Sequence, residues 1–449
     1  MSRYGHPPTI GDVPFSWFEY TIFALLGVAM LWAWNMFLAA SPYFASRFFS
    51  HPSIARTFQS SILTVSTITN LTATLLLTHM QRGADYANRI KLGLVINTLA
   101  FALLTLSTSL FRDISPEAYL GFLLVDVCFS ALATGLFQNG AFAFAASFGR
   151  SEYTQAIMAG QGLAGVLPAL AQMISVLVVR PPKPATGAAL PQDGGDGGRS
   201  KEDDALGDAA FIYFLTAVLM SIVTLVSFFP LVRRHQRLAA ARVARLDDND
   251  DNDGGGDDGM AGHQQRATRK VVSILTLFRK LHWAAGSVAI CFVATIGLFP
   301  VFTAKILSVH PPPRSRFLDP EVFIPLSFLA WNTGDLAGRV STAGPLNARA
   351  RRRPAVLFLF GLVRFVALPL YLLCNLHGAG AVVNSDVFYL VFVQVPFGLS
   401  NGWLASNAMM AAAEGVEESE REAAGGFMGL CLVIGLTAGS LLSFTVTGL

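Results

Sequence analysis

The residues of this 449-residue chain best placed to do chemistry stand in the stretch FIPLSFLAWNTGDLAGRVST, where Asp335 and Arg339 are four residues apart. Four-residue spacing puts a carboxylate and a guanidinium on one helix face, within reach of each other. Asn332, three residues before Asp335, shares that side. An ionisable residue at membrane depth costs about 2.5–3.5 kcal/mol on insertion scales, so its presence needs a reason. One reason is structural, an ion pair that holds helices together. The other is a substrate site facing a water-filled cavity. A carboxylate accepts hydroxyl hydrogens, and a guanidinium donates to ring or hydroxyl oxygens. The two charges cancel, which suits a neutral, hydroxyl-rich ligand better than an ion.

Other polar residues sit in equally apolar surroundings. Gln138 offers a paired donor and acceptor, as the edge of a nucleobase requires, but an amide is also common glue between membrane helices. Trp34 and Asn35 supply a stacking face and a second amide, and Trp34 lies too deep in its run to be an interfacial anchor. Asp126 and Arg364 read as structural, since neither has a polar constellation beside it in the sequence. Cys128, Cys291, Cys374 and Cys431 fall inside apolar blocks without metal-ligand spacing and read as reduced, buried residues. GQGLAG resembles a dinucleotide fingerprint, yet no strand precedes it, so that reading is discarded. No nucleophile–base pair, zinc motif or phosphate loop appears, so an enzyme is not expected, and no cofactor or metal is implied.

The elements that must position these residues follow from hydropathy. The chain is 53% hydrophobic and 14% charged, with a mean hydropathy of +0.51. Thr21 to Ser46, Leu92 to Phe111, Thr154 to Val179 and Ala423 to Leu449 lack any charged side chain. Each is long enough to cross a hydrocarbon core as a helix. The spacing predicts an all-α polytopic membrane protein with about eleven spans. These lie near 17–40, 57–78, 91–111, 119–147, 154–179, 210–232, 283–305, 321–342, 354–375, 386–412 and 423–447. Gly160, Gly162 and Gly165, and Gly435 with Gly439, have the spacing of helices in close contact.

The expected division is a cytoplasmic N-terminal segment 1–16, a six-helix bundle 17–232, a cytoplasmic, largely disordered linker 233–280 and a five-helix bundle 281–449. Low-complexity polar tracts at 181–208 and 246–262 are expected to be disordered. The acidic tract lacks the twelve-residue calcium loop with its terminal Glu and reads as solvated linker. With the N-terminus cytoplasmic, that side gathers Arg82, Arg89, Lys91, Arg150, the cluster from Arg233 to Lys280, and Arg349 to Arg353. The excess over the other side is roughly two to one, which favours this orientation and a C-terminus on the opposite face. No cleavable signal peptide is expected.

The ordered motifs LLGVAMLWAWNMFLAASPYF, QNGAFAFAASFGRSEYTQAIMAGQGLAG, IGLFPVFT, WNTGDLAGR, RFVALPLYLLCN, FGLSNGWLASNAMM and EAAGGFMGLCLVIGLTAGSLLSF resemble the equilibrative nucleoside transporter family through nearly the whole chain. The resemblance implies a 6+5 fold related to the major facilitator fold, and facilitative alternating-access transport of nucleosides and sometimes nucleobases. Carried over by position, Asp335 and Arg339 look like the ribose-binding pair and Gln138 like the base-binding amide. Trp34 resembles the aromatic beside the ligand. Asn332 and Phe328 match the face of the eighth span, and Thr67 and Asn70 match cavity positions of the second. Ala33 stands where the family often has Pro, and Gly334 where Phe is common. Thr67 and Asn70 are polar where some animal members have Met and Leu. These departures imply a roomier, more polar base pocket, poorly blocked by bulky aromatic inhibitors. The formal glycosylation acceptor at Asn70 falls within a span and is expected to be unused.

The expected partners are a small nucleoside or nucleobase and the lipid bilayer, with no nucleic acid and no obligate protein partner. Vacuolar or other endomembranes and the plasma membrane all remain open, as does proton coupling. A carrier of other neutral polyols or sugars is the first rival reading, and a non-transporting receptor or scaffold the second.

Overall fold

Across a bilayer an α-helix satisfies its own backbone N–H and C=O groups, and the chain is helical almost throughout. The computed structural model describes residues 15–81, 84–111, 114–178, 196–252, 272–344 and 347–446. The first half contains α1 (Trp17–Ala39), α2 (Ser41–Phe48), α3 (Pro52–His79), α4 (Tyr86–Leu110), α5 (Pro116–Ser147), α6 (Ser151–Val178) and α7 (Asp196–Asn252). The second contains α8 (Ile274–Thr303), α9 (Pro320–Ser341), α10 (Asn347–Arg351), α11 (Pro354–Val363), α12 (Ala367–Leu372), α13 (Val395–Glu414) and α14 (Arg421–Val446). A single 3-10 turn joins α11 to α12, and a π-helical stretch, Phe388–Gln394, leads into α13. Side chains of Asp85, Ser115 and Ser273 cap α4, α5 and α8 by accepting from the first-turn amides.

Ten of the described helical stretches are long and apolar enough to cross a membrane. The eleventh expected span, α9, has the length but not the apolarity, because it carries Asn332, Asp335 and Arg339. It is held between α6 and α13 instead. The span that carries the ion pair thus packs against a helix of each half.

The packing divides the molecule along its length. One apolar cluster takes residues from both halves, among them Phe142 and Ile157 from the first and Val288, Ala408 and Phe427 from the second. All of them lie toward the end where α1, α6, α8 and α14 begin, here called the base. Toward the other end, the mouth, the halves keep separate cores. Phe44, Phe58, Tyr119 and Phe214 belong only to the first, and Phe302, Phe323, Tyr371 and Tyr389 only to the second. The halves are joined at the base and parted at the mouth.

Within each half, helices cross in backbone contact. A Cβ on Gly160 would lie 1.9 Å from the Ala24 carbonyl of α1, and one on Gly402 of α13 would lie 1.9 Å from the Asp335 carbonyl of α9. Gly435 and Gly439 of α14 meet α8 in the same way, as their spacing suggested.

Residues 196–208 and 246–252, expected to be disordered, are helical here as the two ends of α7. The Ala-, Leu- and Arg-rich segment 237–246 is strongly helix-forming and propagates the helix beyond the apolar stretch. Residues 181–195 and 253–262 of those tracts lie outside the described residues.

The crossings generate a stability test. Gly160→Leu should lower the melting midpoint in detergent, overpacking a contact worth about 1–3 kcal/mol. Gly121→Ala, where nothing lies within 4 Å of the added Cβ, should leave the midpoint unchanged. Equal midpoints for the two variants would contradict the crossing.

Candidate functional site

The Asp335–Arg339 pair forms as its spacing required. Arg339 Nε donates to Asp335 Oδ2 at 2.7 Å, and both residues are buried. The second carboxylate oxygen is satisfied from α13, where Asn401 Nδ2 donates to Asp335 Oδ1 at 2.7 Å. Asn401 is itself oriented from α8, its Oδ1 accepting from Thr295 Oγ1 at 2.6 Å. Arg364 extends the chain of contacts. Its Nη2 donates to Thr295 Oγ1 at 2.9 Å, its Nη1 donates to the Cys291 carbonyl at 2.6 Å, and its guanidinium covers the Phe397 ring.

Arg339 also reaches the other half. Its Nη1 donates to the Met158 carbonyl at 3.0 Å and to Gln161 Oε1 at 3.1 Å, both on α6. In return Gln155 of α6 donates through Nε2 to the Arg339 carbonyl at 3.0 Å. Gly162 and Gly165 of α6 make this approach possible, the first lying against Leu336 and Arg339 and the second against Asn332 Oδ1. Breaking a buried pair by removing one partner typically costs about 3–5 kcal/mol, because the charge left behind is uncompensated. The guanidinium is thus both half of an ion pair and a bolt between the two halves.

The other candidates divide by helix. Asn332 donates to the Phe328 carbonyl at 2.8 Å, and Phe328 packs edge-on against Phe299. Asn35 donates to the Ala164 carbonyl at 2.8 Å. Because Gly165 is the next residue and touches Asn332, Asn35 and Asn332 meet the same turn of α6. Trp34, half-buried, stacks on Phe37 with centroids 5.8 Å apart. Thr67 and Asn70 stand half-buried on α3, and Asn70 accepts from Thr74 and lies beside Gly135 of α5. Gln138 is buried with its Nε2 donor unpartnered. Buried donors normally have partners, so this one is poised for a ligand or a water. Among the described residues no hydrogen bond joins Trp34, Thr67, Asn70 or Gln138 to the Asp335–Arg339 pair.

Three sequence readings change. Arg364 is not isolated, because Cys291, Thr295 and Ser400 surround it from α8 and α13. Asp126 shares a small pocket with Ser66, Ser130 and Thr134. Gly334 does not widen a pocket, since its Cβ direction points at the Val395 carbonyl, 2.4 Å away, and it serves the α9–α13 crossing. Asn401, Thr295, Gln155 and Gln161 were not singled out from the sequence. Their one signal was polarity within an apolar span, which many helix contacts share.

The network predicts that Asn401→Ala, by leaving Asp335 Oδ1 unpaired in a buried site, destabilises the protein by about 1–3 kcal/mol. A fall of several degrees in the detergent melting midpoint is the expected reading. An unchanged midpoint would show that Asn401 is not the partner that holds Asp335.

Comparison with known proteins adds to this geometry. Residues 124–190 and 199–447 match the profile of the family described as Nucleoside transporter. The chain is 30% identical to Nucleoside transporter FUN26 of Saccharomyces cerevisiae, over 95% of this chain and 83% of that one. It is 27% identical to Equilibrative nucleoside transporter 2 of Homo sapiens, over 94% and 95% of the two chains. Among solved structures it resembles the major facilitator superfamily transporter FucP, crystallised in the outward conformation. The TM-score is 0.58 at 13% identity, over 98% of this chain and 92% of that one. The proton:xylose symporter XylE is similar at a TM-score of 0.57 and 13% identity, over 96% and 88%. These two likenesses concern the fold alone, a major-facilitator-like arrangement of helices. By its family profile and by its relatives along nearly their whole length, the chain belongs to the equilibrative nucleoside transporter family, a family of membrane transporters and not of enzymes.

Proposed function

We propose that this transporter carries nucleosides by alternating access about a site between its halves, with Asp335 and Arg339 holding the ribose and Gln138 the base. One observation carries the reading. Arg339 belongs to the second half but donates through Nη1 to α6 of the first, near the shared apolar cluster that joins the halves at the base. Ribose hydroxyls that engage Asp335 and Arg339 compete with those α6 acceptors, so binding weakens the joint that keeps the base closed. A ligand shifts such an equilibrium by its differential affinity for the two states. Trp34 offers a stacking face, and the unpartnered Gln138 Nε2 a donor for an acceptor on the base edge. Asn35, Asn332 and Phe328 then line the path between them, with Thr67 and Asn70 on the α3 wall.

The base gathers Arg89, Arg150, Arg234, Lys280 and Arg351, whereas Arg47, Arg56, Arg314 and Arg316 lie toward the mouth. The positive-inside rule then turns the base, and with it the N-terminus, to the cytoplasm. Neutral cargo and a net-neutral pair need no ion gradient, so transport is facilitative.

Uptake of radiolabelled uridine or adenosine by reconstituted vesicles tests this. Saturable uptake, unchanged by an imposed pH gradient, is the expected result. Asp335→Asn and Arg339→Ala should each lose at least about tenfold in uptake per molecule, a loss of roughly 1.4 kcal/mol or more, at normal membrane abundance. If both variants fold poorly yet retain transport per molecule, the pair is structural and the reading fails.

A further inference from the structure

Asp126 is a buried ionisable group for which the transport reading has no use. It lies on α5, 4% exposed, and its Oδ2 has no hydrogen-bond partner. The pocket it lines is walled by Trp34, Phe37 and Phe101 and edged by Ser66, Ser130 and Thr134. Two of the three hydroxyls do not answer the carboxylate. Ser130 donates to Asn97 Oδ1 at 3.4 Å, and Thr134 donates to the Ser130 carbonyl at 2.9 Å. A carboxylate oxygen without a donor is costly to keep in an aromatic-walled pocket. Oδ2 is thus placed to accept a hydrogen bond from a donor that enters the pocket.

Size and position narrow the choice of donor. The space admits about one water-sized group, which is too small for a purine or pyrimidine ring but enough for an amino group on its edge. Trp34, which the proposed function places beside the base, forms one wall of this pocket. The neighbouring Asn35 binds the α6 turn that also meets Asn332, one helical turn from Asp335. A base lying against Trp34 can thus present an edge to Asp126, in a pose nearer the mouth than the one in which it meets Gln138, which stands twelve residues and about 18 Å further along α5.

We propose that Asp126 is a specificity-determining residue that accepts a hydrogen bond from an exocyclic amino group of the nucleobase, so that amino-bearing nucleosides are preferred over their deamino counterparts. The inference rests on the proposed transport site. A site that hydrogen-bonds a substrate group discriminates strongly against the analogue that lacks it, because its own buried polar atom is left unpaired.

Two substrate pairs isolate the amino group. Guanosine differs from inosine only by the 2-amino group, and adenosine differs from purine riboside only by the 6-amino group. Initial-rate uptake into vesicles would be measured for all four, with uridine as reference, on the wild-type chain, Asp126→Asn and Asp126→Leu. The expected result is a KM at least about tenfold lower for the amino member of one pair or both. Asp126→Asn keeps an amide oxygen that can still accept, so its ratio should fall only in part. In Asp126→Leu, which removes the acceptor, the ratio should shrink below about twofold. Asp126→Ala replaces Asp126→Leu if that one does not fold. Equal ratios in the wild-type and variant proteins overturn the inference, as does a wild-type protein without preference in either pair. A wild-type protein that takes up no nucleoside, uridine included, overturns the underlying transport site instead.

Discussion

A guanidinium bound at once to a carboxylate on its own helix and to a main-chain carbonyl on a helix of the opposite half cannot keep both partners when the halves separate. Arg339 is in that position. Its carboxylate partner is fixed from two further helices through Asn401 and Thr295, so the second half presents the guanidinium as a rigid unit. On the other side, α6 supplies a carbonyl and an amide, acceptors that a polyol can replace without leaving an unbalanced charge. On the proposed reading the ion pair stays intact in either case, and only its neutral partners change. That is an inexpensive way to exchange one closed arrangement for another inside a membrane, where an unpaired charge is prohibitive.

The rest of the packing agrees with a joint of this kind. Glycines bring helices into backbone contact within each half, making two stiff bodies. The same residue type lines the surface between them, with Gly162 and Gly165 against α9 and Gly425 of α14 against the Phe142 carbonyl of α5. A smooth interface of small residues loses little dispersion energy when it shifts, compared with one of interdigitated large side chains. Toward the mouth, two further aromatic-rich cores lie each within a single half, whereas the core at the base is shared. The two at the mouth hold each body together without tying one to the other.

Much of this was legible in the sequence, for identifiable reasons. Span positions follow from hydrophobic length, and the Asp335–Arg339 contact follows from a four-residue helical spacing. Both are local properties. The partners of the pair were not legible, because Asn401, Thr295 and Gln161 come from three helices whose rotation about their axes only tertiary packing sets. Arg364 looked isolated for the same reason, its partners being some 70 residues away along the chain for Thr295 and 36 for Ser400. Gly334 was misread through its neighbour, since lying beside Asp335 in sequence does not mean facing the same way on a helix. The polar tract 246–252 was read as disordered from composition, whereas it continues a helix begun far upstream.

The central claim is that the base joint opens as the mouth closes when a nucleoside is carried. Two pairs of spin labels, read as distance distributions by double electron–electron resonance, test it most directly. One pair, at Glu152 and Ser419, spans the halves at the base, and the other, at Ser53 and Ala379, spans them at the mouth. Both are built on a chain whose exposed Cys128 is replaced by Ser. Saturating uridine should populate a second state with a longer base distance and a shorter mouth distance. Distances that stay unchanged, or that lengthen or shorten together, would contradict the account.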